Sequence, residues 1–141
     1  GDVNGLPDVF VRDCVAGKTI RVSVSSTGQE ANGASDSAVI SADGRFVAFR
    51  SDATNLVAGD ANAKTDIFVR DRQTGTATRV SKDSAGVEGN GMSGYPSISS
   101  DGRYVAFESD ASNLVAGDTN AASDIFVRDR QMGTTTLVSK S

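Results

Sequence analysis

The stretch Asp66-Ile-Phe-Val-Arg-Asp-Arg72 decides the fold, because the chain contains it at three places with few changes. It recurs as Asp124-Ile-Phe-Val-Arg-Asp-Arg130 and appears earlier as Asp8-Val-Phe-Val-Arg-Asp-Cys14. Each copy begins 58 residues after the copy before it. The spacing indicates that the chain is built from a repeated unit.

The similarity between the repeats extends well beyond this stretch. Ser41-Ala-Asp-Gly-Arg-Phe-Val-Ala-Phe49 returns 58 residues later as Ser99-Ser-Asp-Gly-Arg-Tyr-Val-Ala-Phe107. Residues 41–80 and 99–138 differ at 10 of 40 positions, which chance does not explain. Repeats of this kind are single supersecondary units that stack on one another.

Each repeat carries the signals of four short β-strands. Val39-Ile40 leads into the turn Asp43-Gly44, and the mostly apolar stretch 45–49 follows, which predicts a hairpin. Residues 67–69 predict a third strand, and the alternation of β-branched and polar residues over 76–81 predicts a fourth. No stretch shows the apolar period and the caps of a helix.

These strands predict an all-β fold made of four-stranded antiparallel propeller blades. Such a unit cannot bury its apolar face alone, and identical neighbours arranged around an axis cover it. A β-helix or open solenoid is the alternative, although its repeats are generally shorter. We predict a half blade that supplies the last two strands at 1–25 and two blades at 26–83 and 84–141.

The repeat count predicts an incomplete ring in one chain. The 141 residues hold about 2.4 repeats, whereas closed propellers have four to eight blades. Exposed strand edges pair with other strands, so we expect self-association through the blade edges. Three alternatives remain open: a fragment of a longer propeller, a ring of identical chains, or a fibre that grows head to tail.

The two repeated motifs, Ser-x-Asp-Gly-Arg-Phe/Tyr-Val-Ala-Phe and Asp-Ile-Phe-Val-Arg-Asp, resemble the WD40-like, TolB-like propeller repeats of bacterial proteins. The resemblance covers the whole chain and implies an extracellular or periplasmic location. Residues 1–10 lack the features of a signal peptide, so we expect none within this chain. Because that family spans translocation factors, peptidase-associated propellers and surface proteins, the resemblance implies a fold and leaves the function open.

The composition argues against several functional classes. The chain has no histidine, which removes the usual general base and the usual zinc ligand, so we expect no enzyme activity. The net charge of −4 disfavours binding to nucleic acid, and no apolar stretch is long enough for membrane insertion. The single cysteine, Cys14, cannot form an internal disulfide and is read as a small half-buried residue.

The acidic loop before the third strand of each repeat predicts a calcium site. Oxygen ligands at positions one, three and seven resemble the start of a calcium loop, although the glycine at six and the glutamate at twelve are missing. The alternative is that these side chains cap turns through hydrogen bonds to their own backbone. The predicted metal ligands are Asp2, Asn4, Asp8, Asp60, Asn62, Asp66, Asp118, Asn120 and Asp124, and the predicted cofactor is Ca²⁺.

The remaining candidates favour binding over catalysis. Arg70 and Asp71 are adjacent on a strand, so they point to opposite faces and are expected to have partners in other blades. The phenylalanines lie in apolar strands and are explained by core packing, which leaves Tyr95, placed in a loop, as the aromatic candidate for a glycan. We expect a noncatalytic interaction or structural scaffold with a protein or glycan partner. A lectin-like propeller and the propeller portion of a larger hydrolase are the alternatives.

Overall fold

The computed structural model describes residues 2–139, which form ten β-strands and no helix. No helix in this range is therefore available to cross a membrane. The strands are β1 Phe10–Asp13, β2 Lys18–Arg21, β3 Ser35–Ile40, β4 Phe46–Ser51, β5 Asp66–Asp71, β6 Thr76–Arg79, β7 Ser93–Ile98, β8 Tyr104–Ser109, β9 Asp124–Asp129 and β10 Thr134–Leu137.

The strands form three antiparallel sheets in chain order. β1 pairs with β2, and two four-stranded sheets follow in the orders β3-β4-β5-β6 and β7-β8-β9-β10. The all-β fold with four-stranded antiparallel blades is thus confirmed. The predicted units 1–25 and 84–141 include residues 1, 140 and 141, which lie outside the described residues, and the unit boundaries stay a prediction.

The hairpin turn between the first two strands of each four-stranded sheet needs its glycine. Gly44 has φ +73° and Gly102 has φ +72°, in the left-handed region that favours glycine. Asp43 supports the turn as predicted, since its Oδ1 accepts hydrogen bonds from the Arg45 backbone amide at 3.0 Å and from Ser41 Oγ at 2.6 Å.

The hydrophobic cores lie between consecutive repeats, on both faces of the second sheet. Along β4, Val47 and Phe49 face the first two-stranded sheet, whereas Ala48 faces the third sheet. β5 shows the same alternation, because side chains of successive strand residues point to opposite faces. Each repeat therefore completes its core with atoms of its neighbour, as expected of propeller blades.

The same positions are exposed where no described repeat covers them. Phe68 and Phe126 are fully buried, but Phe10, at the equivalent position of the first repeat, is 51% exposed. On the far face of the third sheet, Ile125 is 40% exposed, whereas its equivalent Ile67 is fully buried. The prediction that all the phenylalanines pack in a core is wrong for Phe10, since no strand among residues 2–139 covers its face.

The first strand of each four-stranded sheet contains a bulge. The pairing shifts register between Asp36 and Val39 in β3 and at the equivalent place in β7. Ser37 and Tyr95 occupy the bulges with φ +51° and +50°. Tyr95, expected in a loop, thus lies within a strand, where the bulge turns its side chain into solvent.

Candidate functional site

The three predicted calcium loops connect the second and third strands of their repeats. In the second repeat, Asp60 lies in the loop and Asp66 is the first residue of β5, so the strand fixes one carboxylate and the loop the other. Both side chains are almost completely buried. The structure therefore places two of the three predicted ligands in the same buried site.

An arginine lies between these carboxylates. Arg79, the last residue of β6, places Nη1 3.2 Å from Asp60 Oδ1 and 3.3 Å from Asp66 Oδ2. The same nitrogen is 2.7 Å from Glu88 Oε2. A guanidinium thus supplies the positive charge that a bound cation would otherwise provide, and three carboxylates share it.

Glu88 was not among the predicted site residues. It belongs to the connection between the second and third sheets, 22 residues after Asp66, and also accepts a hydrogen bond from the Ala61 backbone amide at 3.3 Å. The signal that identifies it is the connecting motif Ser-x-Gly-x-Glu-x-Asn-Gly-x-Ser, which occurs at 26–35 and again at 84–93.

Asn62 acts as a turn-capping and bridging residue. Its Oδ1 accepts a hydrogen bond from the Lys64 backbone amide at 2.7 Å, which is the Asx turn that the alternative interpretation expected. Its Nδ2 donates to the Gly89 carbonyl at 2.8 Å and to Asp66 Oδ2 at 3.2 Å. The asparagine therefore joins the loop to the following connection.

The first repeat has the same arrangement of three carboxylates and one arginine. Asp2, Asp8 and Glu30 each direct one carboxylate oxygen to a common point, with the three atoms within 4.8 Å of one another. Arg21 pairs with Asp8 at 3.2 Å and also with Glu30. Asn4, the remaining predicted ligand of this loop, donates from Nδ2 to the Ala31 carbonyl at 2.7 Å.

The third repeat lacks the arginine. Leu137 stands where the other repeats have Arg21 and Arg79. Asp124 accepts hydrogen bonds from Ser139 Oγ at 2.5 Å and from Asn120 Nδ2 at 2.9 Å, but no arginine or lysine within residues 2–139 pairs with it or with Asp118. The third loop thus has the predicted oxygen ligands, and no basic side chain among the described residues pairs with them.

Burial raises the pKa of two carboxyl groups in the cluster around Arg79. Loss of water contact raises the pKa of Asp60 and of Asp66, and the hydrogen bond from Ser81 and the charge of Arg79 only partly oppose this at Asp66. The Asp60 side chain is 1% exposed, and neither of its oxygens has a hydrogen-bond partner among the described residues. Three carboxyl groups thus face one arginine in this cluster.

The other strand carboxylates have structural roles. Asp71 receives two hydrogen bonds from Arg45, from Nε at 3.0 Å and from Nη2 at 2.7 Å, which hold its pKa well below its usual range. Arg45 belongs to the same repeat, whereas the partner of Asp71 was expected in another blade. Arg130 of the third repeat also interacts with Asp71, through its charge. Arg70 does reach outside its sheet, where Nη1 donates to the Ser25 carbonyl at 2.8 Å.

Comparison with solved structures identifies the fold. TolB from Acinetobacter baumannii superposes with a TM-score of 0.59 at 18% identity, over 99% of this chain and 28% of that one. A putative TolB from Agrobacterium tumefaciens superposes with a TM-score of 0.55 at 18% identity, over 92% of this chain and 40% of that one.

The chain thus spans less than half the length of either TolB structure. No model of a known protein family matches it, and no curated protein sequence matches it. The superpositions and the four-stranded antiparallel sheets together show that the chain has a TolB-like, propeller-type fold.

Proposed function

We propose that the chain is a noncatalytic propeller module that acts as an interaction scaffold in the bacterial periplasm or outside the cell. The similarity to TolB structures supports the location and the binding role, and the lack of histidine supports the absence of catalysis. The scaffold presents its outer sheet faces to protein partners, including further copies of itself.

The observation that carries this proposal is the position of the cores. Each core lies between two repeats, so the second sheet has a neighbour on each face. The other two sheets have equivalent apolar positions on one face that no described repeat covers. The outer face of the third sheet leaves Ile125 and Val138 40% and 54% exposed, and the opposite end leaves Phe10 exposed. Apolar sheet faces of this kind are typical of protein-interaction surfaces.

Self-association is tested by the molar mass in solution. We expect light scattering to give a mass above the 14.5 kDa of one chain, rising with concentration, because burial of both apolar faces favours association. The double substitution Ile125→Asp and Val138→Asp is expected to return the mass to that of one chain. A mass of 14.5 kDa at every concentration for the unsubstituted chain would show that self-association is not part of the function.

We also propose that calcium binds at the third loop. Arg21 and Arg79 already supply the positive charge in the first two loops, whereas Asp118 and Asp124 have no such partner among the described residues. Calorimetric titration is expected to give one calcium ion per chain with millimolar affinity, since few oxygen ligands are available. Asp118→Asn should abolish the heat, and Asp60→Asn should not. Three ions per chain, or none, would contradict this assignment.

The glycan alternative has less support from the structure. Tyr95 is 77% exposed and offers an aromatic face, but Ser37 occupies the equivalent position of the second repeat. A sugar-binding platform in every blade would need an aromatic residue at both positions. We therefore give priority to a protein partner.

A further inference from the structure

The connecting segments 26–35 and 84–93 each contain an asparagine followed by a glycine, and the proposed scaffold function uses neither pair. The pairs are Asn32-Gly33 and Asn90-Gly91. Asparagine is chemically labile in proteins. A glycine after it increases the lability, because no side chain shields the glycine amide nitrogen. Both connections therefore carry a bond that can change without an enzyme.

In the connection before the third sheet, the Asn90 side chain is bound through both of its polar atoms to the loop after β8. Its Oδ1 accepts a hydrogen bond from the Ser112 amide at 2.9 Å, and its Nδ2 donates to Ser112 Oγ at 3.0 Å. Asn113 Oδ1 accepts from the Asn90 amide at 2.9 Å, and Asn113 Nδ2 donates to the Glu88 carbonyl at 2.8 Å. We name these four hydrogen bonds the asparagine clamp of the third sheet.

The second sheet has an equivalent asparagine clamp. Asn32 Oδ1 accepts a hydrogen bond from the Thr54 amide at 2.8 Å, and Asn32 Nδ2 donates to Thr54 Oγ1 at 2.9 Å. Asn55 Oδ1 accepts from the Asn32 amide at 2.9 Å, and Asn55 Nδ2 donates to the Glu30 carbonyl at 2.8 Å. The two clamps share no residue, so each can be altered without touching the other.

The glycine after each asparagine supplies the attacking atom of deamidation. Its amide nitrogen forms a bond with the asparagine Cγ and loses its proton, while the Cγ–Nδ2 bond breaks and ammonia leaves, which gives a succinimide ring. The Gly33 and Gly91 amides have no hydrogen-bond acceptor among residues 2–139, so neither nitrogen is held elsewhere. The clamp opposes the reaction, because it fixes the side chain that the nitrogen must approach.

The product does not fit the space that the asparagine occupies. Water opens the succinimide at either carbonyl carbon, and opening at the main-chain carbonyl gives isoaspartate, which lengthens the backbone by one atom. The backbone at Gly91 is closely packed, since an added Cβ would lie 2.5 Å from the Asp110 carbonyl carbon and 2.6 Å from the Ala111 nitrogen. Gly33 is packed in the same way against Asp52. An isoaspartyl connection therefore cannot return to its place.

We propose that Asn32-Gly33 and Asn90-Gly91 are sites of spontaneous deamidation that react only when their own clamp opens, and that the isoaspartyl product keeps the connection detached. The opening is local, because each clamp consists of hydrogen bonds made by an exposed asparagine at the sheet rim. Each connection thus carries a one-way chemical switch at the joint between neighbouring sheets.

Peptide mass spectrometry of the full chain, incubated at mildly alkaline pH, measures the replacement of each side-chain amide by a carboxylate. The chain in guanidinium chloride gives the rate of the unprotected sites. We expect both asparagines to react more than about tenfold more slowly in the folded chain. Asn113→Ala removes two hydrogen bonds of one clamp and should accelerate the reaction of Asn90 about tenfold, with Asn32 unchanged. Asn55→Ala should accelerate Asn32 and leave Asn90 unchanged.

Each variant contains its matched control, since the untouched clamp reports the stability of the whole fold. Acceleration of both asparagines by one substitution would show that global unfolding controls the reaction and would overturn the proposal. Equal rates in the folded and denatured chain, or no acceleration in either variant, would also overturn it.

The detachment is tested on chain that contains isoaspartate at position 90, separated by chromatography. The Gly89 amide donates to the Ser81 carbonyl at 3.1 Å in the attached connection, so its hydrogen exchange should be faster in this material. Unchanged exchange at Gly89 would show that the modified connection stays in place and that the switch does not exist.

Discussion

Phe126→Ala is expected to lower the free energy of unfolding by about 3–5 kcal/mol. The ring is fully buried between the second and third sheets, in one cluster with Ile67 and Val69, and its centroid is 6.0 Å from that of Phe107. Removing it leaves a cavity that the flanking strands cannot fill without moving. Urea denaturation followed by circular dichroism measures the change, with the midpoint falling and the slope unchanged.

Phe10→Ala is the matched control, because Phe10 has the same repeat position as Phe126. Its side chain is 51% exposed, so its loss should cost less than about 1 kcal/mol. Similar losses for the two variants would show that burial between repeats does not set the stability of the fold. A small loss of unfolding free energy for both variants would show that Phe126 is not part of the core that stabilises the fold.

The repeat pattern made most of the fold predictable. The motif beginning at Asp66 and the turn at Asp43-Gly44 placed three of the four strands of a sheet to within a few residues, since both depend on local sequence. The bulges at Ser37 and Tyr95 were not predicted, because a non-glycine residue at positive φ gives no local signal of its own.

The candidate site was predictable only in part. The repeated aspartates marked the loop, but the pairing of Arg79 with Asp60 and Glu88 depends on how the loop, the last strand and the next connection meet in space. Arg79 and Glu88 lie 19 and 28 residues after Asp60. A local sequence pattern cannot predict a contact between residues so far apart in the chain. The difference between Arg79 and Leu137 was visible in the sequence, but only the structure shows that Arg79 lies between carboxylates.

The structure also locates the differences between the repeats. The second and third repeats are nearly identical over most of their length, but positions 36–39 read Asp-Ser-Ala-Val and positions 94–97 read Gly-Tyr-Pro-Ser. These segments are the bulged first strands, and β7 packs against the preceding sheet along β3, β4 and β5. The two repeats therefore differ within the bulged strand, which in the third sheet packs against the preceding sheet.

Gly91→Ala is expected to destabilise the chain by about 3 kcal/mol, which corresponds to a fall in melting temperature of roughly 10 °C. An added Cβ would lie 2.5 Å from the Asp110 carbonyl carbon and 2.6 Å from the Ala111 nitrogen. Both atoms belong to the backbone, so no rotation of a side chain relieves the overlap. The connection and the loop after β8 must separate instead.

Gly94→Ala provides the control for the same segment. An added Cβ at Gly94 meets no atom within 4 Å, and its φ is not positive, so the change should stay within about 0.5 kcal/mol. An added Cβ at Gly33 would lie 2.6–2.7 Å from the equivalent backbone atoms of Asp52 and Ala53. Gly33→Ala should therefore lower the free energy of unfolding as much as Gly91→Ala does. If Gly91→Ala were as mild as Gly94→Ala, the connection would not be held tightly against the loop after β8.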